Sequence, residues 1–255
     1  MEIIGDISYL WIIIFIGTGF LAGYIDSISG GGGMIQIPIL LLSGIPPIVA
    51  LAVNKIGGIC GALMATVKYA ISRKISYKIV KIAIVPCLLA SYLGTQSVMF
   101  INDKIIEWLI LVSIPIALIV LLNKRNYLKE QSNKVTNKNI ILATSTIGFY
   151  DGLIGPGTGT YLTISMKKNL HLDYLTSTAT TKPINFFTNL GSAIAFIIAG
   201  QVVWDIAISL LIGNIIGAYI GSHYAIKGGE SFIKKTLVFI LIFMLIANII
   251  KIIFW

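Results

Sequence analysis

Long apolar runs, separated by short polar segments, make up most of this chain. The clearest extend from Ile48 to Ala70, Ile79 to Phe100, Ile105 to Leu122, Ser177 to Ala199, Ile206 to Tyr224 and Leu237 to Ile253. Each holds about 20 residues, enough for a helix to cross a hydrocarbon core about 30 Å thick. The pattern therefore predicts six transmembrane helices. Two further apolar regions, Tyr9–Leu42 and Asn139–Met166, are interrupted midway by glycine. In the second, the limbs Ile140–Tyr150 and Gly157–Met166 are about 10 residues each, or about 15 Å at 1.5 Å per residue. Each limb is expected to reach only the middle of a membrane. Such a pair reads as a re-entrant hairpin that returns to its starting side, or as one broken helix of awkward length.

The pattern is written twice. Gly19-Phe20 recurs as Gly148-Phe149 and Gly23 as Gly152, 129 positions on. After a two-residue slip the offset becomes 127, matching Lys55 to Lys182, Tyr77 to Trp204, and Tyr92-Leu93-Gly94 to Tyr219-Ile220-Gly221. Internal similarity at a fixed period signals a duplicated structural unit. Residues 1–122 are then the first membrane repeat and 139–255 the second, with 123–138, rich in Lys and Asn, as a cytoplasmic linker. If both broken regions are re-entrant, each half makes three crossings and the halves are inverted. Arg73, Lys74, Lys78 and Lys81, the linker lysines and arginine, and Lys167, Lys168, Lys227, Lys234 and Lys235 then share one side, leaving Lys104 and Lys251 opposite. Full crossings would split the same residues between the two sides, so the positive-inside rule favours inversion. The expected fold is an all-α integral membrane protein of two inverted repeats, each a re-entrant hairpin plus three transmembrane helices, with both termini outside.

Composition agrees with that reading. Hydrophobic residues make up 56% of the 255 and charged ones 11%, against roughly 25% charged in a soluble domain, and mean hydropathy is +0.92. A plasma-membrane, multi-pass protein is implied. Glu2 and Asp6 stand where a cleavable signal would carry Lys or Arg, so no signal peptide is expected. Cys60 and Cys87 lie inside predicted spans without motif spacing and read as small packing residues. The net charge of +9 sits at span edges, where it sets orientation rather than marking a nucleic-acid partner. An embedded enzyme would want a Ser–His or metal constellation. Only His171 and His223 occur, with no HExxH and no clustered acids, so neither catalysis, cofactor nor metal is expected. A channel or cation transporter, the other alternative, would need acid-lined spans.

The candidate chemistry lies in the broken regions, Asp26-Ser-Ile-Ser-Gly-Gly-Gly-Gly33 and Asp151-Gly-Leu-Ile-Gly-Pro-Gly-Thr-Gly-Thr160. Irregular backbone at membrane depth is tolerated only inside protein or beside water. A limb starting near Gly31, Gly32 or Gly33, or near Gly157, Thr158, Gly159 or Thr160, would aim its N–H groups and about half a positive charge at the midplane. The competing explanation is that these glycines merely permit close helix packing. Lys55 and Lys182 hold equivalent repeat positions well inside their spans, where a lysine is costly unless paired or hydrated. Snorkelling could relieve part of that cost. Beside them stand Asn54, Thr181 and Asn185, with Thr178, Thr180, Thr188 and Asn189 along the same helix; Lys182, Asn185 and Asn189 share one helix face. Asp26 and Asp151, the only acids at depth, could pair with the lysines, relay protons or cap a half-helix. The repeat at 129 does not superpose them, so no shared role is required.

The segments Gly19–Gly33, Asn54-Lys55, Gly148–Thr160 and Thr181-Lys182 with Asn185 resemble the sulfite exporter TauE/SafE family of membrane permeases, and the resemblance runs over essentially the whole chain. Met166-Lys167-Lys168-Asn169 is more basic than the resemblance leads one to expect. What the resemblance implies is a secondary transporter for sulfite, an organosulfonate or a related sulfur oxyanion, without an enzymatic step. A small anion and the lipid bilayer are the expected partners, together with a second copy of the chain. The residues combine into an expected alternating-access site, with the anion between the two hairpin tips and Asp26 and Asp151 serving coupling or gating.

Overall fold

The structure, a computed structural model, describes residues 9–122, 136–170 and 172–254. Among these residues it is entirely helical: α1 (Tyr9–Ser29), α2 (Gly32–Leu42), α3 (Pro47–Ile71), α4 (Tyr77–Val98), α5 (Asp103–Leu122), α6 (Asn137–Leu153), α7 (Thr158–Leu170), α8 (Tyr174–Ile198) and α9 (Trp204–Phe254). The helix ends follow local chemistry. Pro47 opens α3, where its missing N–H costs nothing. The Asp173 carboxylate accepts from the Thr176 amide at 2.9 Å to cap α8, and Thr136 caps α6. Gly229, at φ 64, divides α9 into two limbs. Most of the expected linker, 123–135, lies outside the described residues.

Side chains are sorted the opposite way from a soluble protein. Val85, Leu89 and Leu93 on α4, and Ile208, Ile212 and Ile216 on α9, form exposed apolar stripes at four-residue spacing, whereas Thr178, Thr180, Thr181, Lys182, Thr188 and Ser192 on α8 are completely buried. Water would penalise such a surface, and lipid accepts it. Four helices are long and apolar enough to cross a membrane among the described residues: α1, α3, α4 and Trp204–Thr236 of α9. The expected span Ser177–Ala199 corresponds to α8, which has the length, 25 residues, but too polar a sequence to face lipid. Its neighbours enclose it as far as Ala193, beyond which Ile194, Ile197 and Ile198 are exposed.

The broken regions differ from expectation in the length of their limbs. The first limbs have 21 residues in α1 and 17 in α6, and the second limbs 11 in α2 and 13 in α7. At 1.5 Å per residue α1 spans about 31 Å, twice the length expected of such a limb. The reason is that Gly23, Gly148 and Gly152 lie inside helices. A Cβ on Gly152 would stand 2.0 Å from the Ser91 carbonyl oxygen and one on Gly23 2.3 Å from that of Asn214. These glycines bring backbones together, and the breaks fall only at residues 30–31 and 154–157. The chain then reverses: Gly32 at the start of α2 lies back against Ala22 and the Asp26 Cβ on α1.

Each half lends its first helix to the other. Helix α1 runs alongside α9 in the same direction, with Gly213, Gly217 and Gly221 seated against Ile16, Phe20 and Tyr24. In the same sense α6 runs along α4, with Gly148 against Cys87 and Gly94 against Phe149. Helices α3 and α8 cross in opposite directions, since the Ser76 amide bonds Thr180 Oγ1 at 3.0 Å while Gly58 meets Asn189. Gly23 and Gly148 thus hold matching places 125 positions apart, as do Asp26 and Asp151. The register of 129 expected from the sequence is off by one helical turn. Apolar clusters around Leu51, Val53, Phe196 and Leu210, and around Ala65, Tyr69, Ala179 and Ala225, close the two ends of the bundle.

The α1–α9 seam should be intolerant of bulk. A Cβ on Gly217 would lie 2.0 Å from the Phe20 carbonyl oxygen, whereas one on Gly17, one turn away on the exposed face of α1, meets nothing within 4 Å. Gly217→Val is expected to abolish the cooperative thermal transition in detergent, and Gly17→Ala to keep it or raise stability by up to about 1 kcal/mol.

Candidate functional site

The two breaks meet. Gly30, at φ 82, backs directly onto Gly159, and the Thr160 hydroxyl donates to the Ser29 carbonyl at 3.1 Å. Side chains at either glycine would separate the tips, and only glycine adopts this φ without strain. Where the tips meet, a cavity opens, lined by Gly30, Gly32, Gly33 and Gln36 from the first hairpin, Asp151, Gly155, Gly157, Thr158 and Gly159 from the second, and Asn54, Lys55, Gly58, Asn185, Asn189 and Asn214 from α3, α8 and α9. Asp26 completes the wall. Helices α2 and α7 both begin here, and Gly31, the residue before α2, has no side chain with which to cap it. Their N-terminal dipoles therefore bear on the cavity.

The lysines are paired crosswise. Lys55, from the first half, puts Nζ 2.6 Å from Asp151 Oδ1 and 2.5 Å from the Asp151 carbonyl oxygen, with both side chains buried. The Thr158 hydroxyl lies 2.7 Å from the same Oδ1, and Oδ2 has no partner. Gly155, at φ 93, leaves room for the ammonium, which sits 3.0 Å from where a Cβ would be. Lys182, from the second half, donates to the Asp26 carbonyl and lies 3.4 Å from Asp26 Oδ2, while the Gly32 amide reaches Oδ1 at 3.4 Å. A buried ammonium is tolerated because each finds a carboxylate and a carbonyl. Of the three roles open to the aspartates, the geometry displays pairing for both and, for Asp26, a contact with the first amide of α2 as a cap would make.

Residues 15–248 match the sulfite exporter TauE/SafE family. The chain belongs to that family. Probable membrane transporter proteins are among its relatives: one of Sinorhizobium is 34% identical over 240 residues, covering 92% of this chain and 91% of the relative. One of Haemophilus influenzae is 31% identical with 96% of each covered, and YfcA of Escherichia coli is 28% identical with 88% and 84% covered. No solved structure matches. The protein is a multi-pass membrane transporter of the TauE/SafE type.

Of the residues singled out in the sequence, Gly32, Gly33, Asn54, Lys55, Gly157, Thr158, Gly159, Asn185, Asp26 and Asp151 line the TauE/SafE cavity. Gly31, Thr160, Thr181 and Lys182 do not. Gly31 is the residue before α2, Thr160 ties the two tips together, and Thr181 lies against Thr163 and Met166. Lys182 stands behind Asp26. The sequence pattern alone did not single out Gln36 and Asn214, whose amides bond each other at 3.2 Å, or Gly58. Gln36 is the one amide in the otherwise apolar α2, and such a residue at membrane depth is itself a signal.

The Lys55–Asp151 pair is the more deeply sealed, so it should matter more to folding. Lys55→Gln leaves an unpaired buried carboxylate, at a cost of about 3–5 kcal/mol. The double variant Lys55→Gln/Asp151→Asn should recover most of that loss, and Lys182→Gln should lose less, because Asp26 reaches the cavity. Thermal unfolding in detergent checks the order.

Proposed function

We propose that this protein is a secondary transporter that moves a small sulfur oxyanion, such as sulfite, thiosulfate or an organosulfonate, across the plasma membrane by alternating access. The observation that carries the reading is the junction of the two glycine breaks, where two helix N-termini and amide side chains from both halves surround one cavity. Such groups offer N–H donors and positive dipole ends, which suit an oxyanion. The family's description supports the substrate class. Gly31–Gly33, Gly157–Thr160, Asn54 and Asn185 are the proposed contacts, with Thr181 supporting α8. Lys182 and Lys55 supply positive charge when their aspartates release them.

Alternating access by two inverted repeats accounts for the exchange of helices between halves. The equivalent helices α3 and α8 cross in opposite directions, and each first helix runs parallel to the other half's fourth, as a two-fold axis in the membrane plane would require. The domains 1–122 and 139–255, joined by a cytoplasmic linker, are the repeats in this reading. The hairpins α1–α2 and α6–α7 are re-entrant in it. With the cell interior negative, each negative charge exported without a coupling ion gains about 2.3 kcal/mol per 100 mV.

Purified protein in liposomes should exchange radiolabelled sulfite or thiosulfate, and Lys182→Gln should lose at least about tenfold of that exchange while keeping its thermal transition. Normal exchange by Lys182→Gln removes that lysine from the site. Orientation is checked separately by single cysteines at residue 102 and within the linker, probed in intact cells with an impermeant thiol reagent. Residue 102 should label and the linker should not; equal labelling contradicts inversion.

A further inference from the structure

The two crossed ion pairs are built alike and held unlike. Asp151 is 2% exposed, and its Oδ1 is gripped by Lys55 at 2.6 Å and approached by the Thr158 hydroxyl at 2.7 Å. Asp26 presents 21% of its side chain and lines the cavity, yet its two carboxylate contacts, Lys182 Nζ and the Gly32 amide, are both long at 3.4 Å. Lys182 itself is wholly buried. A carboxylate that is reached from a polar cavity and held at such distances can take up a proton without breaking a short bond. Its lysine has a second acceptor in the Asp26 carbonyl oxygen, a contact that does not depend on the charge of the carboxylate. Protonation therefore leaves an uncompensated cation beside the cavity, in surroundings of low dielectric where its pull on an anion is strong.

We infer that Asp26 is the proton-binding group of this transporter and that each anion is carried together with one proton, with the anion taking the place that the ionised Asp26 carboxylate holds beside Lys182. The inference rests on the anion reading above. The groups that face Asp26 fit it. Lys182 comes from α8 and the Tyr69 hydroxyl, bonded to the Ser27 carbonyl at 2.9 Å, from α3. Across the cavity stands Lys55, also on α3, already neutralised by Asp151 on α6. Among the described residues, α2, α7 and α9 line this cavity with uncharged groups, including Gln36, Thr158 and Asn214. One carboxylate thus competes with the anion for one ammonium. By thermodynamic reciprocity, a proton on Asp26 raises anion affinity by the factor by which the bound anion raises proton affinity. A monovalent anion then crosses with no net charge, so the pH gradient rather than the membrane potential sets its direction.

The test uses the full chain in liposomes with thiosulfate and methanesulfonate, anions that do not titrate near neutral pH, so that a proton carried on the substrate cannot imitate one carried on Asp26. Exchange of radiolabelled anion without any gradient reports transport, and a trapped pH dye reports proton movement during net uptake down an imposed anion gradient. The expected result is exchange, acidification of the lumen by about one proton per anion taken up, and a KM that falls as the pH drops, by up to about tenfold per unit. Asp26→Asn fixes the neutral form and should abolish acidification per anion moved, whatever its rate. Should that variant fail to fold or exchange, the native stoichiometry and the pH dependence of its KM decide the matter alone. Exchange with no acidification and a flat KM overturns the inference and leaves the anion reading standing. Acidification that persists in Asp26→Asn also overturns it. Absence of exchange with both anions removes the anion reading, and this inference with it.

Discussion

The architecture depends on a buried ammonium needing a carboxylate, and on each lysine finding its partner in the opposite half of the chain. Lys55 reaches Asp151 and Lys182 reaches Asp26. An unpaired charge at this depth would cost several kcal/mol, so the pairs tie the long helices α3 and α8 to the breaks at the ends of α6 and α1. The breaks must then lie where the lysines are, which puts both glycine tips and both helix N-termini around one cavity. Because the pairing is reciprocal, neither half lines the cavity alone.

Glycine makes that placement feasible in two ways. On α9, Gly213, Gly217 and Gly221 let α1 approach until a Cβ would strike its backbone, and Gly94 and Gly148 serve the α4–α6 seam likewise. Without a hydrophobic drive between helices in lipid, such close packing is a principal source of association. At the tips the need is conformational. Gly30, Gly155 and Gly157 all hold positive φ, turning the chain sharply enough that α2 and α7 begin beside the ends of α1 and α6. The seams fix the helices, and the tips turn the chain inward at the site.

The membrane class, the two glycine breaks and the pair of lysines are legible in the sequence because each is a local pattern: an apolar run, a cluster of glycines, a charge inside a span. The true register of the repeat is not. Matching Gly19 to Gly148 and Gly23 to Gly152 aligns identical residues, whereas the structure pairs Gly23 with Gly148 and lets Ser27 stand where the second half has Gly152. Small residues are interchangeable at a packing seam, so identity misleads by one turn and hides the equivalence of Asp26 and Asp151. Limb lengths come out too short for a related reason, since Gly152 looks like part of a break when it is a packing residue within α6. The ion pairs themselves join residues 96 and 156 positions apart, a separation at which only the fold can decide who meets whom. Gln36 and Asn214 are hard to pick out because single amides in apolar runs look incidental until their contact across the cavity is seen.

If the cavity at the crossed tips is the place where the transported anion rests, filling it must remove binding without dismantling the fold. Gly58 lies at its wall, clear of both ion pairs, and a Cβ there would stand 3.0 Å from Asn189 Nδ2. The decisive measurement is equilibrium binding of radiolabelled thiosulfate and sulfite to purified native protein and to Gly58→Leu. The expected result is saturable binding of at least one of the two to the native chain, at about one anion per chain, and its loss in a variant that still shows a cooperative thermal transition. Undiminished binding by the folded Gly58→Leu variant, or no saturable binding by the native protein, would contradict a site at the crossed tips.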